Sequence, residues 1–415
     1  MIATAHPWRR VALLILLASV ASLSLVAGCG EDPEPDPAAA AATAPMPTGS
    51  PIALKQDNAA VRLGFGDMPL MTGHSSLQFI SDAFSTAVLE VQVIDERKAQ
   101  EFNPTDVKDN PAVVQAKKRT EELLDEIDEA IAADGVADFD RYVLVIDLFR
   151  VNSRWLVRWD GVKIRDIDED GAYGLDREDM RTEEKKIILD AIAEAADRKP
   201  LTHVVIGAAI ERLELVNPED FGNFVSFYGE VYDAIKERWP DLLVSPGLNW
   251  DRFETEIAAL YTPGGTVGEV TFAHIRAAWM EIGEALFDKA DFLGLQAEPE
   301  PSTYAGDPAM LPDSQYALLA EIQGDRPVVW YSVNWPVTSG AEKVTQRDYL
   351  RRFLELNAGN DIDLISWRGV RDFGPDDCPR TTALGGPRSD CAAGIFSDSL
   401  AKNKLSDEFE STLLP

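Results

Sequence analysis

The stretch THVVIGAAIERLELVNPEDFGNFVSFYGEVYDAIKERWPDLLVSPGLNW, residues 202–250, predicts a strand, a helix and a second strand. Residues 202–207 and 242–247 are short runs rich in Val, Ile and Leu, as parallel strands covered on both faces should be. Residues 218–239 have apolar side chains at helical spacing, and Pro218 followed by two acids is typical of a helix start. The stretch therefore predicts one β–α–β unit.

The same pattern extends along most of the chain. Six helical patterns alternate with the apolar runs, at 109–133, 181–197, 218–239, 274–290, 314–322 and 346–357. The apolar runs number eight, at 61–66, 88–94, 142–148, 202–207, 242–247, 291–296, 327–332 and 363–368. This alternation predicts an α/β fold, a (β/α)₈ TIM barrel. A doubly wound open sheet is the alternative, but GFGDMP at 64–69 is not the glycine-rich phosphate turn typical of that fold.

The N-terminus predicts export. A short basic start precedes an apolar run from Val11 to Val26, which is short for a spanning helix, and VAGC then resembles a bacterial lipobox. We expect a lipoprotein signal peptide at 1–28, a lipidated Cys29 with a Pro/Ala/acidic linker over 29–50, and the barrel over 51–415. Acyl chains on Cys29 would anchor the chain to the cell envelope. Gly30 stands where some inner-membrane lipoproteins have aspartate, which favours the outer membrane.

The charge of the chain and its cysteine and histidine motifs indicate which ligands and which disulfide to expect. The chain has 39 basic and 71 acidic residues, a formal net charge of −32, which excludes nucleic acid as a partner. Cys378 and Cys391 bracket a Gly/Pro-rich loop, and in an exported protein we expect them to form a disulfide. The chain has no HExxH and no paired CxxC, so no metal and no cofactor is predicted.

Several segments resemble the retaining barrel glycoside hydrolases of the galactanase and cellulase type. Residues 204–250 resemble their strand 4, helix 4 and strand 5; residues 327–340 with 346–356 resemble strand 7 and its helix; 363–373 and 393–409 resemble the closing elements. The resemblance covers roughly residues 60–412 and implies an Asn-Glu pair at the tip of strand 4 and a Glu at the tip of strand 7. Those positions are Ala208, Ala209 and Ser332 here, so the resemblance implies that both catalytic carboxylates are missing.

Three functions remain open at this stage. The first is a catalytically defective barrel that binds carbohydrate through polar and aromatic residues near strand ends: Asn249, Trp250, Tyr304, Trp335 and Trp367. The second is an active glycosidase with relocated carboxylates, for which Glu211 and Glu298 are the candidates. Other acids follow strands as well: Asp67, Asp95, Glu96, Asp147, Asp251 and Asp372. The third is a protein-interaction lipoprotein without enzymatic activity.

Overall fold

The computed structural model describes residues 47–63, 67–95, 114–149, 157–159, 164–166, 175–216, 218–260, 270–336, 343–371, 394–396 and 402–414. Within these residues eight parallel strands form a closed barrel. The strands are β1 (Ala59–Leu63), β2 (Thr86–Gln92), β3 (Arg141–Asp147), β4 (Leu201–Ile206), β5 (Leu243–Asn249), β6 (Leu293–Ala297), β7 (Val328–Val333) and β8 (Ile362–Trp367). Each observed strand overlaps a predicted run, so the TIM-barrel prediction is confirmed.

Helices follow the strands along the chain. They are α1 (Asp67–Met71), α2 (Ser75–Ala83), α3 (Ala116–Asp134), α4 (Glu178–Arg198), α5 (Arg212–Val216), α6 (Pro218–Arg238), α7 (250–260), α8 (272–286), α9 (Leu319–Ile322), α10 (Lys343–Leu356) and α11 (Lys404–Leu413). Both α7 and α8 contain a π turn, at Phe253–Ile257 and Trp279–Gly283. Helix α6 begins at Pro218 as predicted, whereas the helix predicted over 314–322 is confined to α9 because residues 314–318 form turns.

Three small two-stranded sheets lie outside the barrel in the described residues. Ile94–Asp95 pairs antiparallel with Val114–Gln115, and Val157–Trp159 with Ile164–Asp166. Gly369–Arg371 pairs in parallel with Gly394–Phe396. Most of the long connection after β3 lies outside the described residues.

Successive side chains of each strand point to opposite faces of the sheet, so the barrel has two hydrophobic cores. The inner core fills the barrel with side chains such as Val88, Val145, Val329 and Leu364, while a larger outer core packs between the sheet and the helices. The register of β7 is irregular: Leu295 pairs with Trp330, but Gln296 pairs with Ser332. This bulge inserts one extra residue, Tyr331, whose ring lies in the inner core.

One glycine makes this inner packing possible. A Cβ on Gly247 would lie 2.6 Å from Tyr331 Oη and 2.8 Å from Val205 Cγ1. Because real Cβ atoms do not approach other atoms so closely, β5 needs glycine where the Tyr331 hydroxyl crosses the barrel. The bulge and the glycine together place a phenol below the tip of β4.

The predicted signal peptide, the lipidated Cys29 and almost all of the linker lie outside the described residues. So do Cys378 and Cys391, and their disulfide therefore stays a prediction. Within the described part of the chain, no helix combines the length and apolar character needed to cross a membrane.

Candidate functional site

The tip of β4 leads into a tight turn whose first residues, Ala208 and Ala209, have no acidic side chains. Ala208 and Ala209 are both buried, and Ala209 has a left-handed backbone with φ of +52° that non-glycine residues rarely adopt. The Ala209 N–H donates to Tyr331 Oη at 3.3 Å. The position that the resemblance assigns to the acid carboxyl therefore lies on a strained turn directly against the Tyr331 hydroxyl.

At the tip of β7, the hydroxyl group of Ser332 contacts Glu298, the acid that follows the neighbouring strand β6. Ser332 is fully buried, and its Oγ donates to Glu298 Oε1 at 3.0 Å. Arg368, which follows β8, contacts the same carboxylate oxygen. Burial alone would raise the pKa of Glu298, but the charge of Arg368 and the hydrogen bonds from Arg368 and Ser332 hold it below its ordinary value. Glu298 is therefore an ionised, already paired carboxylate.

A second ion pair lies at the same end of the barrel. Arg62 Nη2 in β1 is 3.0 Å from Glu90 Oε2 in β2, and both side chains are partly exposed, at 20% and 18%. Asp147, the last residue of β3, accepts a hydrogen bond from the Phe149 N–H at 3.0 Å. Burial and the nearby charge of Glu90 raise the pKa of Asp147 to about 7.

These five groups form one electrostatic unit, which we call the mouth cluster: Arg62, Glu90, Asp147, Glu298 and Arg368. The charge of Arg62 lowers the pKa of both Asp147 and Glu298, so its field reaches both carboxyl groups. The members come from, or directly follow, strands β1, β2, β3, β6 and β8. Because the carboxyl ends of all strands meet at one face of a parallel barrel, this face is where TIM barrels hold their functional groups.

Glu211 has an arginine partner that is not a member of the mouth cluster. Its carboxylate is fully buried and accepts from the Asn249 N–H at 3.0 Å and from Arg252 Nη1 at 2.8 Å. No hydrogen bond joins Glu211 to Glu298 among the residues with described positions. Glu211 and Glu298, the candidate relocated carboxylates, thus contact different arginines.

A third group of acids was only partly indicated by the sequence. Asp251 Oδ2 accepts from the Glu298 N–H at 2.6 Å, and its Oδ1 accepts from Gln315 Nε2 at 3.0 Å. The same Gln315 Nε2 donates to Glu254 Oε2 at 2.6 Å. Burial raises the pKa of Asp251 to about 7; burial, followed by the charge of Asp251, raises that of Glu254 well above its ordinary value. A cavity of about 190 Å³ lies against Glu254 and Gln315.

The three candidate tryptophans are core residues in this structure. Trp250 is fully buried, and Trp335 and Trp367 are each 1% exposed. Trp250 Nε1 donates to the Gln315 carbonyl at 3.0 Å, and the ring of Trp335 lies 5.2 Å from that of Tyr349. A sugar stacks on an exposed ring face, which these side chains lack in the present arrangement. Their assignment to carbohydrate binding stays a prediction without support from their packing.

The other two candidates also have structural partners. Asn249 caps the start of α7, where its Oδ1 accepts from the Arg252 N–H at 3.0 Å. Tyr304 is partly buried; its hydroxyl donates to Gln315 Oε1 at 3.4 Å and its ring contacts Trp335. Tyr304 also lines the 190 Å³ cavity, which leaves it nearer to solvent than the tryptophans.

A larger cavity of about 1450 Å³ opens at the opposite end of the barrel. Its floor holds His203, whose Nε2 lies 3.0 Å from Asp363 Oδ2, while Arg141 Nη1 lies 3.4 Å from Asp363 Oδ1. The contact with His203 is the largest contribution lowering the pKa of Asp363. These contacts join β3, β4 and β8, and at this end of a barrel such groups contribute to stability. His203 itself is buried.

Metal binding has no support in the described part of the chain, where no group of three or more His, Cys, Asp or Glu side chains could hold an ion. The acids at the mouth are paired with arginines or with an amide. The site therefore offers hydrogen bonds and charges to a ligand.

Comparison with known proteins gives matches at the level of structure only. No protein-family model and no curated protein matches the chain. A GH5_18 structure from Streptomyces cattleya in complex with GlcNAc is 11% identical, with 87% of this chain and 80% of that chain covered and a TM-score of 0.53. The exo-β-1,4-mannosidase Op5Man5 from Opitutaceae bacterium strain TAV5 is 14% identical, with 87% and 61% covered and a TM-score of 0.50. The fold is that of the glycoside-hydrolase barrels.

A family 39 glycoside hydrolase from Bacteroides cellulosilyticus WH2 is a further match, at 11% identity and a TM-score of 0.48, with 87% of this chain and 64% of that chain covered. The present chain therefore spans less than two thirds of the length of that hydrolase and of the mannosidase. At these identities the likeness establishes the glycoside-hydrolase-like fold alone, because one barrel fold supports many unrelated activities.

Proposed function

We propose that the protein is a lipid-anchored component of the cell envelope whose glycoside-hydrolase-like barrel no longer cleaves glycosidic bonds and binds carbohydrate. The observation that carries this proposal is the absence of carboxylates at the two family positions. Ala208 and Ala209 follow β4, and Ser332 is the next-to-last residue of β7. Retaining hydrolysis needs a proton donor and a nucleophile about 5–5.5 Å apart, and neither group is present at these tips.

The remaining acids are poorly suited to replace them. Glu211 is buried against Arg252, and Glu298 is bound by both Ser332 and Arg368. An arginine-paired carboxylate has part of its negative charge neutralised and its lone pairs occupied, which weakens it as a nucleophile. Its lowered pKa also makes Glu298 a poor proton donor.

Carbohydrate binding is supported by the composition of the mouth cluster. Its partly exposed arginine and glutamate side chains alternate hydrogen-bond donors with acceptors, as hydroxyl groups of a sugar require. The similar GH5_18 structure is in complex with GlcNAc. Export and lipidation rest on the sequence of residues 1–29 alone.

One observation favours an active glycosidase as a second candidate. Asp147 has a pKa raised to about 7, whereas that of Glu298 is lowered. A pair of carboxyl groups whose pKa values are pushed apart is the pattern expected of a general acid and a nucleophile. This candidate requires both groups to reach the same glycosidic oxygen and anomeric carbon.

Turnover and binding assays on the full-length protein separate the possibilities. We expect no release of nitrophenol from aryl β-glycosides of glucose, mannose, xylose and N-acetylglucosamine, together with saturable calorimetric binding of an oligosaccharide. Turnover that is lost in Glu298→Gln or Asp147→Asn, but kept in the exposed ion-pair control Glu321→Gln, would establish the second candidate. A protein that binds none of the glycans would contradict the proposal and favour the protein-interaction lipoprotein.

Lipid anchoring has its own test. The wild-type chain should fractionate with membranes and incorporate labelled palmitate, and Cys29→Ser should do neither. Fractionation of Cys29→Ser with the membrane to the wild-type extent would remove the anchor from the proposal without affecting the barrel.

A further inference from the structure

Two buried polar side chains at the mouth have no hydrogen-bond partner among the described residues. Asn334 follows β7 and is fully buried, yet neither its Oδ1 nor its Nδ2 has a hydrogen-bond partner within the part of the chain that the structure describes. The same is true of Ser366 Oγ in β8, which is also fully buried. Buried amide and hydroxyl groups are normally paired, so each exception needs a physical reason.

The strand pattern places both groups on the inner side of the barrel. Val333 and Trp335 belong to the outer core, so alternation turns Asn334 between them inward. Leu364 belongs to the inner core, which puts Ser366, two residues later, on the same inner side. Both side chains therefore face the barrel axis near its carboxyl end.

Backbone contacts align Asn334 with the mouth cluster. The Asn334 N–H donates to the Ala297 carbonyl at 2.9 Å, and the Arg368 N–H donates to the Val333 carbonyl at 3.1 Å. These bonds continue the parallel ladder past the strand ends, so Asn334 stands level with Glu298 on one side and Arg368 on the other. The unpaired amide thus lies beside the ion pair that joins β6 to β8.

Another buried asparagine, Asn357, has both of its amide atoms hydrogen-bonded and serves as a comparison for Asn334. Asn357 is also fully buried, but its Oδ1 accepts from Trp330 Nε1 at 3.2 Å and from Asn360 Nδ2 at 3.2 Å. Its Nδ2 donates to the Phe353 carbonyl at 3.0 Å. Asn334, by contrast, has neither of its amide atoms paired among the described residues.

We propose that Asn334, with Ser366, contacts a neutral, hydroxyl-rich sugar unit in the mouth and determines its selection over anionic sugars. This inference rests on the proposed carbohydrate-binding function and deepens it. A carboxamide and a hydroxyl each offer both a donor and an acceptor, which matches the alcohol groups of a neutral sugar. Their pairing with such groups would satisfy polar atoms that the described part of the chain leaves unsatisfied.

The charges of the mouth cluster explain the exclusion of anionic sugars. Its two arginines are each paired with a glutamate, and Asp147 adds a third acid. No member supplies an uncompensated positive charge for a sugar carboxylate, and the whole chain carries a formal charge of −32. Burial of a carboxylate here would meet repulsion from the acids, and Arg212, whose charge also lowers the pKa of Asp147, could offset it only at the expense of that interaction.

Calorimetry on the full-length protein tests the inference. The probes are N-acetylglucosamine, cellobiose and β-1,4-mannobiose as neutral sugars, with glucuronate and digalacturonate as anionic ones. Wild type should bind at least one neutral probe and bind the anionic probes at least about tenfold more weakly. Asn334→Leu, similar in size but apolar, should weaken the bound neutral sugar by about tenfold or more, because a site built to pair hydroxyls loses that pairing.

A stability measurement separates a ligand contact from a structural role. Removal of an unpaired buried amide should raise the melting temperature of the ligand-free protein while binding falls. Ser76→Ala is the matched control, since Ser76 Oγ is also buried and unpaired among described atoms but lies on helix α2. This control should melt no lower than wild type and keep full affinity.

Each outcome bears on a different statement. Wild-type affinity in Asn334→Leu, or equal binding of cellobiose and glucuronate, would overturn this inference and leave carbohydrate binding intact. If Asn334→Leu does not fold, Ser366→Ala provides the same comparison, and undiminished binding in it would overturn the inference. A wild-type protein that binds none of the five probes would refute both the inference and the function on which it rests.

Discussion

Replacement of Asp251 by asparagine should flatten the dependence of folding stability on pH. Asp251 is 5% exposed, and it accepts hydrogen bonds from the Glu298 N–H and from Gln315 Nε2, which also binds Glu254. Burial raises the pKa of Asp251 from 3.8 to about 7. The folded chain therefore holds this proton more tightly than the unfolded chain does.

The sign and the size of the effect follow from that difference. Below pH 3.8 both states are protonated, and the folded state is at its most favoured with respect to this group. As the pH rises from 3.8 to about 7, the unfolded carboxyl ionises first and stability falls. At roughly 1.4 kcal/mol for each pKa unit, the loss approaches about 4 kcal/mol. Asparagine cannot ionise, so the variant lacks this contribution.

Urea unfolding at constant ionic strength, from about pH 4 to 8, measures the effect. Wild type should lose up to about 4 kcal/mol more unfolding free energy than Asp251→Asn across this interval. The variant keeps a residual slope because Glu254 and Asp147 also have raised pKa values. Asp140→Asn, at an exposed position before β3, should follow the wild-type profile. If the profiles of wild type and Asp251→Asn stayed parallel to within roughly 0.5 kcal/mol, the reasoning would be refuted.

Two further predictions concern the packing around the mouth. Gly247→Ala should lower the unfolding free energy by about 1–3 kcal/mol in urea titrations, because its Cβ would collide with Tyr331 Oη. A Cβ at Gly222 on α6 meets nothing within 4 Å, so Gly222→Ala should instead raise the free energy of unfolding by about 0.5–1 kcal/mol. Equal effects of the two substitutions would show that a Cβ at Gly247 does not collide with Tyr331 Oη. Glu211→Gln should lower the free energy of unfolding by about 3 kcal/mol, because Arg252 loses its buried partner. The double variant with Arg252→Met should recover part of that loss by calorimetric melting; a Glu211→Gln protein as stable as wild type would show that the pair contributes nothing.

Most of the fold and part of the site could be predicted from local patterns. The strand over 202–207 and the helix from Pro218 follow from composition and spacing, which act over a few residues. The absence of acids at Ala208, Ala209 and Ser332 also follows once the strand ends are known. Partners could not be predicted, because Glu298 meets Arg368 across 70 residues of chain and Glu211 meets Arg252 across 41.

The burial of side chains at the strand ends could not be predicted from local sequence patterns either. Trp250, Trp335 and Trp367 follow or end strands, where a ring can face either a cleft or a helix. The structure packs all three in the core. The amide of Asn334, which is unpaired among the described residues, lies at the mouth, and no sequence signal indicated this. Which side of the sheet a tip residue faces depends on local register, and the bulge at Tyr331 shifts that register by one residue.

By itself, the sequence determined an eight-stranded parallel barrel in which the tips of β4 and β7 have no carboxylate, since strand periodicity and residue identity are local properties of the chain. The tertiary structure alone decided which acids are paired, which hold their protons near neutral pH and which polar groups are left without partners. Those properties depend on distances and burial between segments far apart in the chain, and they arise only when the barrel closes.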